Sequence, residues 1–581
     1  MILQALNNYY ERLSADPEAD VAAFGFSRQR IAYAVVIEKN GAFHSIEDLR
    51  TQEGKKLLAR SLVVCGGAKP SGSGVNPCFL WDNPTYMLGY KPDDPKPERT
   101  LQCFEAFRQR HLDLEAAIND PEFSSVCRFL EKWETSKGAE QETLVDIATG
   151  FGLFRIRGAK HFVHEQPAIR DWWLTQIGNN DESSEETTGQ CLVTGKSATI
   201  ARLHEPKIKG VMGGQSAGAA IVSFNLDAFE SYGKSQSNNS PVSELATFQY
   251  CTALNRLLAD RSRRIQIGDA TTVFWTEQKT EAENILGIVL GNPPPEDQAQ
   301  LNVLQATLKA IASGQYPSNF GDQSTPFYVL GLSPNAARVS VRFWYVTTLG
   351  EFVKHLHQHF ADLDIARSER DKEFIAPWQI IRETARESKD IPPLLSGALM
   401  RAILTGQPYP TMLLSALIRR IRADRSINHT RAATIKACLN RNTRFNISPL
   451  EKELPMSLDP DRADASYRLG RLFAELEKTQ EDAMPGINDT IKDRYFGAAS
   501  ATPGSVFPRL IRMSQHHLGM LEKPTKTYHE KRIQEICSML DVFPSHLNLK
   551  DQGLFAIGYY HQRQDIFTKK NKLATTNSEE E

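Results

Sequence analysis

The chain has 581 residues, 41% of them apolar and 24% charged, which is enough for at least two hydrophobic cores and excludes wholesale disorder. Its net charge of −2 offers a polyanion no long-range attraction, so nucleic acid would have to be held by local basic patches. No window approaches the roughly 18 uninterrupted apolar residues of a spanning helix, and "MILQALNNYYERL" lacks a basic segment followed by an apolar one, so a cytoplasmic protein without a membrane is expected.

Along the chain, "IAYAVVIE" (31–38) is strand-like by its β-branched content. After Asn40-Gly41, a type I′ turn signal, "AFHSIEDL" is expected to return as the second arm of a hairpin. "ERTLQCFEAFRQRHLDLEAAI" has helical periodicity, strand-like pieces follow near 152–157, and the polar run "GNNDESSEETTG" (178–189) reads as a surface loop. Further strands are predicted at 219–224, 271–275 and 338–346. In "NNSPVSELATFQYCTALNRLLADRSRR", Ser240 is the expected N-cap and Pro241 the first helical residue. From about 349 the period is helical, broken at "DIPPLL", "TGQPYPT" and "ELPMSLDPD", and the tail "KKNKLATTNSEEE" is expected to lack structure. The fold class is therefore α+β: a mixed region with antiparallel sheet pieces over 1–348, a basic helical region over 349–455, and a helical bundle over 456–581. The eight cysteines stand far apart with no CxxC pair, which argues against a zinc ribbon or a disulfide framework. Buried apolar thiols are expected.

Two glycine-rich segments attract attention. In "KIKGVMGGQSAGAAIVSFN" (207–225), Gly210, Gly213, Gly214 and Gly218 permit positive φ and let backbone N–H groups approach an anion or a nucleic-acid backbone. Lys207 and Lys209 add charge, Gln215 can read or wedge against a base edge, and Ser216 can meet a phosphate. "CGGAKPSGSGVNPCFLWDNPTYMLGY" (65–90) likewise sets Lys69, Ser71, Ser73 and Asn76 among glycines and prolines and closes on Trp81, Asp82 and Asn83. Either segment alone also fits a turn leading into a buried strand or a surface loop over a core.

Basic residues cluster elsewhere. On a strand of period two, "SPNAARVSVRFWYV" points Arg338, Ser340, Arg342 and Trp344 to one side, a face suited to a phosphate backbone or an unpaired base, or to an edge strand with solvated arginines. The helical segment before residue 264 ends in Arg256, Arg261, Arg263 and Arg264. Residues 401–450 hold nine cations (Arg401, Arg419, Arg420, Arg422, Arg425, Arg431, Lys436, Arg441, Arg444) against the single acid Asp424, a segregation that favours a polyanion contact.

Several enzyme signals fail on spacing. In "GQCLVTGKS", five residues separate Gly189 from Gly195 where a phosphate-binding loop allows four, so no such loop is read here. "EFVKHLHQHF" would align Glu351, His355 and His359 on one helical stripe, a metal-site alternative. Opposite it lies an ordinary core stripe of Leu349, Phe352, Val353, Leu356 and Phe360, so a solvated histidine edge, with His357 also on it, is the plainer reading. His516 and His517 face different ways without local carboxylates. No catalytic residue, metal or cofactor is expected.

The long stretch from "CLVTGKSATIARLHEPKIKG" through "CTALNRLL", with "VLGLSPNAARVSVRFW" and "QGLFAIGYYHQR", resembles the large subunit of the type I-C CRISPR interference complex (Cascade), over nearly the whole chain. The resemblance implies a non-catalytic subunit that recognises a short motif flanking the target in double-stranded DNA, helps open the duplex and docks a helicase-nuclease. Its other implied partners are the guide CRISPR RNA, the displaced strand, the Cascade backbone subunits and a small helical subunit. Pairing with RNA reads the long target, leaving the protein a few base pairs to inspect. The expected DNA contacts are Lys69, Ser71, Asn76 and Asn83 in one loop; Lys209, Gly213, Gly214, Gln215 and Ser216 in the other; and Arg256, Arg263, Arg338, Arg342, Arg419 and Arg422 on the basic elements. No role falls to Lys196, where the family often carries an acidic or neutral residue. The resemblance also implies that the small subunit is made from an internal start, for which Met456 is the candidate; on protein sequence alone "ELPMSLDPD" equally fits an interhelical loop. Its product, 456–581, would turn Arg468, Arg471, Arg509 and Arg512 toward the displaced strand. A metal-dependent nuclease using the histidines and a purely protein-binding helical scaffold are the competing classes.

Overall fold

The computed structural model describes residues 1–19, 21–53, 56–69, 74–147, 150–179, 187–267, 269–284, 287, 298–446 and 452–577. The α+β class holds, with sheets toward the N-terminus and helices after them. The chain forms two compact units, Met1–Arg256 with Pro334–Val339, and Leu257–Ser333 with Ser340–Glu581.

In the first unit the strands are β1 (Phe26–Ile37), β2 (Phe43–Asp48), β3 (Thr51–Glu53), β4 (Lys56–Leu58), β5 (Arg60–Cys65), β6 (Trp81–Asp82) and β7 (Phe151–Ile156). The main sheet runs β2-β1-β7-β6, and β5 pairs with the first half of β1. β1 reads as a nearly continuous apolar run because both its faces are covered: Tyr33, Val35 and Ile37 join one core, and Ala34 joins another with Trp81 and Leu153. The expected hairpin forms, with β1 and β2 antiparallel. Its turn differs from the expected type I′: Gly41 alone is at positive φ (+82°) and Glu38 N–H bonds Ala42 O at 2.8 Å, the bulged form of a longer loop. A Cβ on Gly41 would lie 2.6 Å from Arg128 Cβ, so close packing demands glycine as well. The predicted helix appears as Pro97–Ile118. β8 (Thr188–Gln190) and β9 (Ser197–Thr199) form a small ribbon, and residues 180–186 of the polar run lie outside the described residues.

Two local expectations are corrected. Residues 219–224 make only isolated bridges at Ala219 and Ala220, not a strand. The helix expected to start at Pro241 starts at Glu244. The carbonyls of Pro241 and Val242 accept from Leu192 and Ala201 (both 2.9 Å). Those bonds keep the backbone extended, and Ser243 Oγ accepts from Ala246 N–H instead of Ser240 capping the helix.

The second unit holds the sheet β10 (Arg264–Ile267), β11 (Ala270–Thr276), β12 (Pro326–Asn335) and β13 (Arg338–Thr348), in that order. Ile265, Phe274, Phe327 and Val329 from this sheet share one core with the helices Leu349–Leu363, Pro393–Thr405, Thr411–Asp424, His429–Phe445, Ala465–Ala483 and Leu549–Asn577. That shared core draws residues from both sides of 348 and of 456. The other face of the sheet stacks Trp275, Tyr328 and Trp344, with the last two rings 5.6 Å apart, so Trp344 is engaged within the protein. The last helix continues to Asn577, through most of the tail expected to be unstructured, and 578–581 lie outside the described residues. Among the described residues no helix is long and apolar enough to cross a membrane. Six of the cysteines are buried, and none is in a disulfide.

Candidate nucleic-acid interface

The segment 207–218 is a hairpin closed by reciprocal bonds between Ile208 and Ala219 (2.8 and 2.9 Å). Val211–Gly214 and Gln215–Gly218 form consecutive tight turns, each closed by a 3.0 Å bond. Gly213 takes φ +77°, as the third residue of a type II turn requires. Gly218, at φ +90°, leaves no room for a Cβ, which would lie 3.0 Å from Ile208 O. Lys209, Gly213, Gly214, Gln215 and Ser216 are all exposed, and the side chains of Gln215 and Ser216 make no hydrogen bond among the described residues.

Asn255, which sequence reading missed, sets this hairpin. Its Oδ1 accepts from Lys209 N–H at 2.8 Å while its Nδ2 donates to Lys207 O at 3.0 Å. One amide thereby holds two stem residues against helix Glu244–Ala259. The available signal was an asparagine inside a helical run, where its propensity is poor unless its side chain has work elsewhere. The next residue, Arg256, is exposed, and Arg28 on β1 feels it: Arg28 is lowered by burial first and by the like charge of Arg256 second.

Arg338 is engaged by neighbouring side chains. Its Nε donates to Ser223 Oγ at 2.9 Å, it also bonds Asn225, and its guanidinium lies 4.4 Å from the Phe229 ring centre. With Ala220 N–H on Ala337 O and Val339 N–H on Ala220 O, it braces the chain just after the hairpin.

In the other glycine-rich loop, Lys69 is turned inward. Its ammonium meets the fully buried Asp82 carboxylate, donates to Asn76 O at 2.7 Å and sits 3.4 Å from the Tyr86 ring centre. Asp82 in turn accepts from Cys78 N–H (2.9 Å) and Asn83 N–H (2.8 Å). Asn83 caps the helix Pro84–Met87 through Thr85 N–H. Of this loop's expected contacts only the Asn76 side chain is exposed, and Ser71 lies outside the described residues.

The remaining basic residues belong to the second unit. Arg263 is largely buried and pairs with the fully buried Glu283 at 2.8 Å. Arg342 pairs with Asp269 at 2.8 Å and is 45% exposed. Acids from outside the window enter the nine-to-one cluster at 401–450 and neutralise part of it. Arg441 and Arg444 bind Asp362 (2.7 and 2.8 Å), Arg431 binds Glu383 (2.7 Å) and Lys436 is buried. Arg401, Arg419, Arg422 and Arg425 remain exposed and form no ion pair among the described residues. In the C-terminal bundle Arg471 is buried and bonds Gln562 Oε1, Arg468 is half-buried and bonds Arg462 O, and Arg509 and Arg512 are exposed.

The histidine stripe is committed to structure. His355 and His357 bond the carbonyls of Leu404 (2.8 Å) and Ile311 (3.0 Å), and the buried His359 bonds Tyr409. Burial pushes His359 down to about 3, so its ring stays neutral. Among the described residues no group of three or more His, Cys, Asp or Glu could hold a metal ion.

A family model described as CRISPR-associated protein (Cas_Csd1) matches residues 6–567. No curated protein matches the chain. With the match spanning both units, including the exposed hairpin and its asparagine clamp, the chain belongs to the CRISPR-associated protein family Cas_Csd1.

Proposed function

We propose that this chain is the non-catalytic large subunit of a type I-C CRISPR surveillance complex, working in the cytoplasm. In this reading it binds double-stranded DNA beside the target, inspects the flanking motif, parts the first base pairs for the guide RNA and docks the helicase-nuclease. The Cascade backbone subunits and a small helical subunit are its protein partners. The observation that carries the reading is the clamped hairpin 207–218, which presents the exposed Gln215 and Ser216 at its tip while its stem is held by Asn255, the residue before the exposed Arg256. A side-chain-poor tip can enter a groove, and an amide there can contact base edges or occupy the place of an unstacked base. Lys69 serves here as the internal pin of its loop, leaving Asn76 to face DNA. Arg419 and Arg422, one helical turn apart on Thr411–Asp424, suit the displaced strand or the guide–target duplex, where their loss would weaken binding uniformly and flatten its salt dependence.

Gln215→Ala is expected to weaken binding of a motif-bearing duplex by about tenfold while sparing a pre-opened target. Asn255→Asp keeps the acceptor for Lys209 N–H and loses the donor to Lys207 O, so it should reproduce the same asymmetry at a smaller amplitude. Gel-shift affinities of the assembled complex for the two DNAs check this. Equal losses on both would remove the hairpin from duplex opening.

The internal start at Met456 belongs to the same reading. Met456 is 52% exposed, in the segment before helix Ala465–Ala483, and its carbonyl accepts from Ala366 N–H at 2.7 Å. A product beginning there would uncover the face of Leu549–Asn577 that meets Ile435 and Leu439 at Gly553, an apolar surface available for assembly. Replacing the Met456 codon by a leucine codon should abolish a polypeptide of residues 456–581 in mass spectra of the purified complex. Its persistence would end the proposal.

A further inference from the structure

Residues 231–234, "SYGK", form a second, smaller hairpin beyond the first. Ser231 and Lys234 pair, with Lys234 N–H on Ser231 O at 3.0 Å, and both residues between them are at positive φ, Tyr232 at +54° and Gly233 at +69°. This is the arrangement of a type I′ turn, which favours Asn, Asp or Gly at both positions and disfavours a bulky side chain. Tyr232 nonetheless occupies the first, and it is 97% exposed. Among the described residues it has no hydrogen bond and no ring contact.

The turn is held rigid. Asn239 Oδ1 accepts from Ser231 N–H at 2.9 Å, and its Nδ2 donates to Lys234 O and Gln236 O at 2.7 and 2.9 Å. Glu230 accepts from Gln236 N–H at 3.0 Å. This repeats the Asn255 device: one amide clamps both arms of a hairpin whose tip faces outward. A backbone outlier that the surroundings over-determine, carrying a fully exposed ring, points to function.

Resting on the DNA-binding reading above, we infer that Tyr232 is an aromatic finger that stacks on an unpaired nucleobase of the opened target. The ring's neighbours Ser231, Gly233, Lys234 and Ser235 are small or polar, and of the exposed apolar residues earlier in the segment, Leu226 and Phe229, the second is covered by Arg338, which is unlike the apolar surround of a protein-binding hot spot. It suits a partner that offers a flat π-face and little else. In this segment the carboxylates Asp227 and Glu230 outnumber the one cation Lys234, which disfavours phosphate, so the contact is to the base and its contribution to affinity depends little on salt.

The test uses the full chain with two probes, a duplex containing a short central mismatch bubble and the fully paired duplex. Tyr232→Asn should weaken bubble binding by roughly five- to a hundredfold, the range of base–aromatic stacking. Tyr232→Phe should stay within about twofold of the wild type, since the ring is kept. Asn also suits positive φ, so the same variant should raise the thermal midpoint. Weaker binding in a more stable protein is an outcome that a purely structural tyrosine does not produce. Unchanged bubble affinity in Tyr232→Asn overturns the inference, including the case in which the variant impairs association with another protein. A wild-type chain that binds neither probe overturns the DNA-binding reading itself, and this inference with it.

Discussion

Asp362→Ala is expected to destabilise the second unit by about 3–5 kcal/mol, the cost of stranding a buried cation. Asp362 is 2% exposed and its carboxylate receives Arg441 Nε at 2.7 Å, Arg444 at 2.8 Å and Gln358 Nε2 at 3.0 Å. Arg441 has no exposed surface; its other bonds go to the carbonyls of Ala402 (3.0 Å) and Gln407 (2.8 Å), and it lies 4.3 Å from the Tyr409 ring centre. These carbonyls cannot neutralise the guanidinium, so removal of the carboxylate leaves its charge uncompensated in a poorly solvated site. Equilibrium denaturation measures the loss. The double variant Asp362→Ala, Arg441→Leu should recover most of it, since an apolar replacement of both partners is often neutral. No recovery would show that the ion pair is not the cause.

Gly470→Ala or Gly558→Ala should cost about 3 kcal/mol or more, the upper end of overpacking effects. A Cβ on Gly470 would stand 2.0 Å from Phe555 O, and one on Gly558 would stand 2.1 Å from Tyr467 O. Both obstacles are backbone, so helices Ala465–Ala483 and Leu549–Asn577 would have to separate. Separation would pull apart the bonds spanning them: Tyr467 to His561 at 2.9 Å, Arg471 to Gln562 at 3.0 Å, Gln562 to Glu475 at 2.7 Å and Tyr559 to Glu477 at 2.6 Å. Gly553→Ala is the control, because its nearest neighbours are methyl ends of Leu439 and Ile435 at 3.3 and 3.4 Å, which can yield. Equal unfolding midpoints for Gly470→Ala and Gly553→Ala would refute the close crossing.

Both predictions bear on function because of where the charges go. Much of the basic density between 401 and 450 is spent on interior pairing, so the cations left for a polyanion in that window are few: Arg401, Arg419, Arg422 and Arg425. Under the proposed function, DNA recognition then depends more on the clamped hairpins of the first unit than a count of arginines implies.

Local pattern by itself determined a good deal. The apolar run of β1, the helical periods of Pro97–Ile118 and of the chain after 349, and the prolines and glycines at 390–395, 405–411 and 453–461 all produced elements where expected. Such features depend on neighbours in sequence, through backbone sterics and the alternation of buried and exposed faces. The glycines of 207–218 marked a tight exposed turn for the same reason. Tertiary structure alone decided what depends on distant residues. Asp362 and Glu383 neutralise arginines far along the chain, Asp82 draws Lys69 inward, and the pairing of Pro241 and Val242 delays a helix by three residues. Asn255 and Asn239 become clamps only when hairpins fold back onto them. A charge or an amide acquires its role from the partner that folding brings within about 3 Å, and spacing along the chain does not encode that partner.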